Sequence, residues 1–275
     1  MDSLRYNDPY GTIRLAGEGT ISIHASGEKI LCLGGGWSAG EGIQVLSGTL
    51  DLVCNGVSVT CVGSCAGAAR IDIRNAQISV HGDGNEVLLI GSRSGAAIIR
   101  MEESEIRMSA ACELLAGLGT MNGSADAVVS GCRIGCETHC DRGAAFGSFD
   151  GKAMIVFRDS VVRQHSEGYR VTGFGSLNGS CVVRVESGEV DADVLAVERL
   201  LLGNDRSRFV VTGGNIHLAQ ESDHPPVSPA GIPLHFASPE EDHYEETFSD
   251  TEEERIYKAD RNTDGYLGVR IPQSE

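Results

Sequence analysis

Between residues 19 and 218 the chain runs as short apolar–polar alternations broken by glycine, with no helical period. One set alternates with period two: Ile21/Ile23, Leu50/Leu52, Ile78/Val80, Ile106/Met108, Ile134/Cys136, Val162/Gln164 and Val190/Ala192. The residues between them are polar or small: Ser22, Asp51, Ser79, Arg107, Gly135, Arg163 and Asp191. Such a pattern predicts strands with one face in a core and the other in water. A second apolar stretch ends at a glycine, as in Val87-Leu88-Leu89-Ile90 before Gly91. A third strand follows it, at Ile43/Val45, Ile71/Ile73, Ile99/Met101, Ala127/Val129, Ile155/Phe157 and Val183/Val185.

That glycine recurs every 28 residues, at Gly35, Gly63, Gly91, Gly119, Gly147, Gly175 and Gly203. A fixed period held this long marks a stacked repeat. Coils are predicted to begin near Gly19, Gly48, Ala76, Ser104, Cys132, Ser160 and Gly188, with a partial one near Gly214. A turn is predicted at Ala66-Gly67, Ser94-Gly95, Asn122-Gly123, Asp150-Gly151 and Asn178-Gly179, where Asn-Gly and Asp-Gly favour left-handed backbone angles. Three strands of constant order in identical units favour parallel stacking over hairpins. The predicted fold is all-β, a right-handed parallel β-helix of about seven to eight coils, roughly 40 Å long at about 4.8 Å per coil. A leucine-rich horseshoe lacks support because its LxxLxL pattern is absent, and propeller blades need longer units.

The ends read differently. Residues 1–18 carry an Ile13/Leu15 alternation and are expected to cap the first coil. Pro225, Pro226, Pro229 and Pro233 end the solenoid, since proline cannot donate to a ladder. The division is therefore a β-helix over 1–219 and an acidic loop with a capping hairpin over 220–275. The hairpin is placed at Arg255-Ile256-Tyr257 and Tyr266–Ile271 about a turn at Thr263-Asp264-Gly265.

Composition narrows the partners. Net charge is −17, which repels phosphates and anionic membranes, so nucleic acid is excluded as a partner. No apolar run reaches the length of a membrane helix, so no membrane insertion is expected. The opening MDSLRYNDPY has no apolar run. The expected place is the cytoplasm, or the cell surface where a leader has been removed. Nine cysteines form no CxxC pair and are expected to be buried small hydrophobes. Cys112 and Cys140 lie 28 apart, which puts them on neighbouring rungs about 5 Å apart and within disulfide reach.

The unit Gly-x-Ile-x-Ile…Ile-Leu-Cys-Leu-Gly-Gly-Gly (19–36), with its glycine-rich turn and following strand, resembles a known family. These are the glycine-rich repeats of bacterial extracellular proteins described as carbohydrate-binding β-helix domains. The closing segment from Tyr257 to Pro272 is similar to the end of those proteins. The resemblance spans roughly 19–272. It implies a bacterial surface protein with a glycan as partner, and carries no motif of binding residues.

In a stacked coil, outward residues form columns. One reads Gln44, Asp72, Arg100, Val128, Val156, Arg184; another reads Asp51, Ser79, Arg107, Gly135, Arg163, Asp191. Asp72, Arg100, Arg107, Arg163 and Arg184 are the candidate ligand-binding residues, because Arg forks bind sugar hydroxyls or uronate carboxylates. A third column sets Arg74 over Glu102 and Arg158 over Glu186 as exposed ion pairs. Trp37 is the sole tryptophan, and Phe146 and Phe174 are expected to point inward. His24, His81, His139 and His165 are assigned to different columns, and no pair of acids forms a glycosidase constellation. Asp260–Gly265 matches half a calcium loop, but its twelfth position is Ile271, so a plain turn is expected. No metal or cofactor is expected. The reading is a non-catalytic β-helix presenting a polar face to a glycan or cell-surface partner. The alternatives are a polysaccharide lyase or glycoside hydrolase on the same fold, and a self-assembling rod.

Overall fold

The structure is a computed structural model. It describes residues 13–35, 41–65 and 67–199, and short strands at 5–6, 208–211, 215–219, 236–237, 242–243, 246–248 and 255–257. It is a parallel β-solenoid of about six turns, with no helix among the described residues. Fewer turns form than the seven to eight predicted. The last rung also shortens: Glu189 pairs with Asn215 and Val182 with Arg208, an offset of 26 rather than 28. Gly203 and Trp37 lie outside the described residues.

Each full coil holds two strands rather than three. A long strand such as Ala76–Ser92 merges the first two predicted strands, and a short one such as Ala96–Glu102 is the third. The long strands stack in chain order from Thr20–Gly35 to Asn215–Ala219. The strand bends without leaving the ladder, because every neighbouring rung bends at the same place. Pairing skips one residue at the bend: Gly56 meets Gly84 and Ser58 meets Glu86, leaving Val57 and Asn85 unpaired. The first limb alternates buried and exposed, as its sequence pattern predicts, while Val87–Ser92 is buried throughout. On the second limbs, Leu88 and Ala116 form a satellite cluster with Met121, with Leu114 and Phe149 packed against it.

The period comes from a backbone contact. Gly119 has φ 148°, and a Cβ there would stand 1.8 Å from the carbonyl oxygen of Gly147 on the next coil. The first coil corrects the predicted spacing. Gly34, not Gly35, stacks on Gly63, an offset of 29, and by Glu41, which meets Ala69, the offset is 28. The turn glycines are also required by close approach, not by left-handed angles. A Cβ on Gly123 would meet the Gly95 carbonyl oxygen at 1.7 Å. The left-handed residues sit at the other corner, at Asn75, Glu103, Gly131 and Asp159, with φ from 46° to 63°.

Inside, the alternating residues predicted as core are buried, Ile78, Val80, Ile99 and Met101 among them, except Ile21 and Ile23 of the first coil, which are partly buried. Phe146 and Phe174 point inward and stack at 5.1 Å, with Phe157 edge-on to both. At the start, Ile13–Leu15 pairs in parallel with Glu41–Val45, and Arg5–Tyr6 closes that edge antiparallel. Near the other end, Arg255–Tyr257 pairs antiparallel with Arg208–Val211 and with Glu246–Phe248. The segment read as an acidic loop therefore contains strand, and Tyr257's predicted partner at 266–271 lies outside the described residues. The calcium-like stretch at 260–265 also lies outside them.

Candidate functional site

The five candidate residues fall on two faces. Asp72, Arg100 and Arg184 lie on the short strands Ala69–Arg74, Ala96–Glu102 and Ser180–Val185. Asp72 and Arg100 are register neighbours but turn to other partners. Arg74 donates to both Asp72 carboxylate oxygens, at 2.7 and 3.1 Å. Arg100 donates to the Ile99 and Asp126 carbonyls and lies 3.4 Å from the Asp126 carboxylate. Arg184 stacks between Val156 and Val210, so its column is apolar at Val128 and Val156 rather than a polar strip. The third column behaves as predicted: Arg74 reaches Glu102 at 3.6 Å and Arg158 pairs with Glu186.

Arg107 and Arg163 are brought together on the other face. They line an open groove of about 650 Å³ on the first limb of the long strands. The column here reads Ser79, Arg107, Gly135, Arg163, one residue per rung. The flanking columns add Glu105, Arg133, Val161 and Glu189 on one side, and Ser109 and Glu137 on the other. Glu105, Arg133, Glu137 and Glu189 were not among the predicted site residues. The same 28-residue spacing marks them, two positions to either side of the chosen column. Arg107 donates to Glu105 at 2.7 Å, whereas Arg133 and Arg163 have no carboxylate partner among the described residues.

The histidines correct their predicted scatter. His24, His81 and His165 share one column with Glu137 and Asp193. His165 meets Asp193 through Nδ1 and Glu167 through Nε2, both at 3.1 Å, and His139 meets Glu167 at 3.4 Å. Burial opposes a proton on His165, but hydrogen bonds and charge from Glu167 and Asp193 outweigh it and raise its pKa. Hydrogen bonds from His165, then His139, hold the Glu167 carboxyl below its usual range.

Cys112 and Cys140 do sit on adjacent rungs, and both are free thiols. Their column elsewhere holds Gly56, Gly84 and Gly168, so they occupy the bend of the long strand. Contact with Cys140, then burial, raises the Cys112 pKa, which disfavours the reactive thiolate. Burial pushes Cys136 up to about 12. No group of three or more His, Cys, Asp or Glu able to hold a metal ion occurs among the described residues.

No protein-family model, curated protein or solved structure matches the chain.

Proposed function

We propose that this solenoid is a non-catalytic recognition module whose long-strand face binds a glycan. The observation that carries the reading is the groove over Ser79, Arg107, Gly135 and Arg163. Parallel stacking repeats the same outward position every rung, so polar groups recur at about 4.8 Å along the axis. Such spacing suits a ligand that is itself a repeating polar chain. The arginines around Gly135 favour binding, while the groove's carboxylates, Glu105, Glu137 and Glu189, are the groups a cleaving enzyme would need. Guanidinium stays protonated across accessible pH and offers a fork of donors, which suits recognition and not proton shuttling. The glycine-rich repeat and its resemblance to carbohydrate-binding β-helix domains support the same ligand class.

A glycan array paired with a reducing-end assay tests this. Retention of one glycan class with no new reducing ends is the expected result. New reducing ends would replace the reading with a polysaccharide-cleaving enzyme, and an empty array would remove it.

A further inference from the structure

Gly135 is a gap that the fold does not require. On the ladders, added Cβ atoms would strike the next coil's backbone, as at Gly119 and Gly147. At Gly135 an added Cβ would meet nothing within 4 Å, and its φ is not left-handed. The residue sits mid-strand in Arg133–Ser148, where glycine weakens a strand for want of a side chain to pack. Its effect is to leave a notch in the outward column.

Arginines surround that notch. Arg107 lies one rung before it and Arg163 one rung after it, about 10 Å apart across two strand spacings. Arg133 lies two positions earlier on the same strand, on the same face, and Glu137 two positions later. Arg107 is already neutralised by Glu105. Arg133 and Arg163 are exposed cations with no carboxylate partner among the described residues, on a chain of net charge −17. Carboxylates stand near them, Glu105 one rung from Arg133 and Asp191 one rung from Arg163, with Glu137 and Glu189 in the same groove, but none is within ion-pair distance of either guanidinium among the described residues. Both forks therefore remain available to an anion that enters the empty position. The groove also runs from Ser79 to Glu189 across five rungs, about 19 Å over four strand spacings, longer than a lone ion needs.

We propose that the Gly135 notch receives the carboxylate or sulfate of an acidic polysaccharide. This rests on the reading of the face as glycan-binding and assigns its charge class. Arg133 and Arg163 donate to the anionic group. Glu137 accepts from neighbouring hydroxyls, which orients the sugar and penalises an anion placed on that side.

The test uses the full chain and three immobilised polysaccharides: a sulfated one, a polyuronate and a neutral one. Retention on one or both acidic polymers, weakening with added salt, and none on the neutral one is expected. Retention on the sulfated or the uronate arm names the source of the charge. Gly135→Val fills the notch and Arg163→Met keeps bulk without the fork; each should weaken binding about tenfold or more. Both should melt within about 2 °C of the native chain, because neither position is packed. If Gly135→Val melts early, Arg163→Met alone decides. Equal retention on the neutral polymer, or unchanged affinity in Arg163→Met, overturns the charge assignment and leaves the broader reading standing. Retention on none of the three overturns both.

Discussion

At Gly119 and its equivalents, one missing methyl group decides whether coils can stack. An alanine Cβ there lands 1.8 Å from the Gly147 carbonyl oxygen, and the backbone is in a region that L side chains rarely adopt. Neither can relax without moving a whole rung. Gly119→Ala should therefore cost about 3 kcal/mol or more, lowering Tm by roughly 6–12 °C. Gly19→Ala, where nothing lies within 4 Å, should stay within about 2 °C. Equal melting temperatures for the two would contradict the contact. The residue after each glycine matters as well. Ser64, Ser92, Thr120, Ser148 and Ser176 are all buried, and most hold the turn glycine three positions on. Thr120 accepts from the Gly123 amide at 2.9 Å and donates to the Ser92 carbonyl at 2.7 Å. Thr120→Val keeps the shape but orphans the half-buried Gly123 amide, so a loss of about 1 kcal/mol is expected in denaturant melts. The hydroxyls are plain in the sequence as Gly-Ser and Gly-Thr pairs. Their meaning is not, because a buried serine and an exposed one read alike.

Among the elements, the strand bearing His165 carries a pH response. Glu167, held low by His165 and His139, contributes stability above its ordinary value of 4.5, and that is lost as pH falls through its lowered value. His165, raised by its carboxylates, contributes fully below its ordinary 6.5, and that is lost as pH rises through its raised value. Both act together between about pH 4.5 and 6.5. Solvent screening keeps the effect small, about 1–3 °C in Tm. Melting should fall as pH goes from 6 to 8, less so in His165→Gln, and an equal slope in the variant would contradict the pairing. The strands themselves were legible. Period-two alternation placed Ile78, Val80, Ile99 and Met101 in the core, where they are. The merging of two predicted strands into Ala76–Ser92 was not, because glycine at a bend looks like glycine at a turn. Only the pairing across rungs shows that the ladder continues. The 29-residue step of the first coil was legible in Ile21 and Leu50, but its stacking glycine was misassigned as Gly35, because three consecutive glycines, Gly34 to Gly36, give the sequence no way to choose among them.

At the scale of the whole molecule, a column on paper becomes a surface only where neighbouring columns agree. The column holding Arg107 and Arg163 became a groove because Arg133, Glu105 and Glu137 flank it. The column holding Asp72, Arg100 and Arg184 did not, because Arg74 and Asp126 occupy its charges and Val128 and Val156 interrupt it. Outward direction was therefore readable from period and partnership was not, since a charge can pair two positions along its own strand, as Arg74 with Asp72 and Arg107 with Glu105, or on the next rung 26 or 28 positions away, as Arg100 with Asp126 and Arg158 with Glu186. Amide chemical shifts of the 15N-labelled chain, followed while an acidic oligosaccharide is added, test the account most directly. The expected result is movement at Arg107, Gly135 and Arg163, one rung apart and 28 residues apart, with Asp72, Arg100 and Arg184 unmoved. Shifts on the short-strand face, shifts without that spacing, or no shifts at all would contradict it.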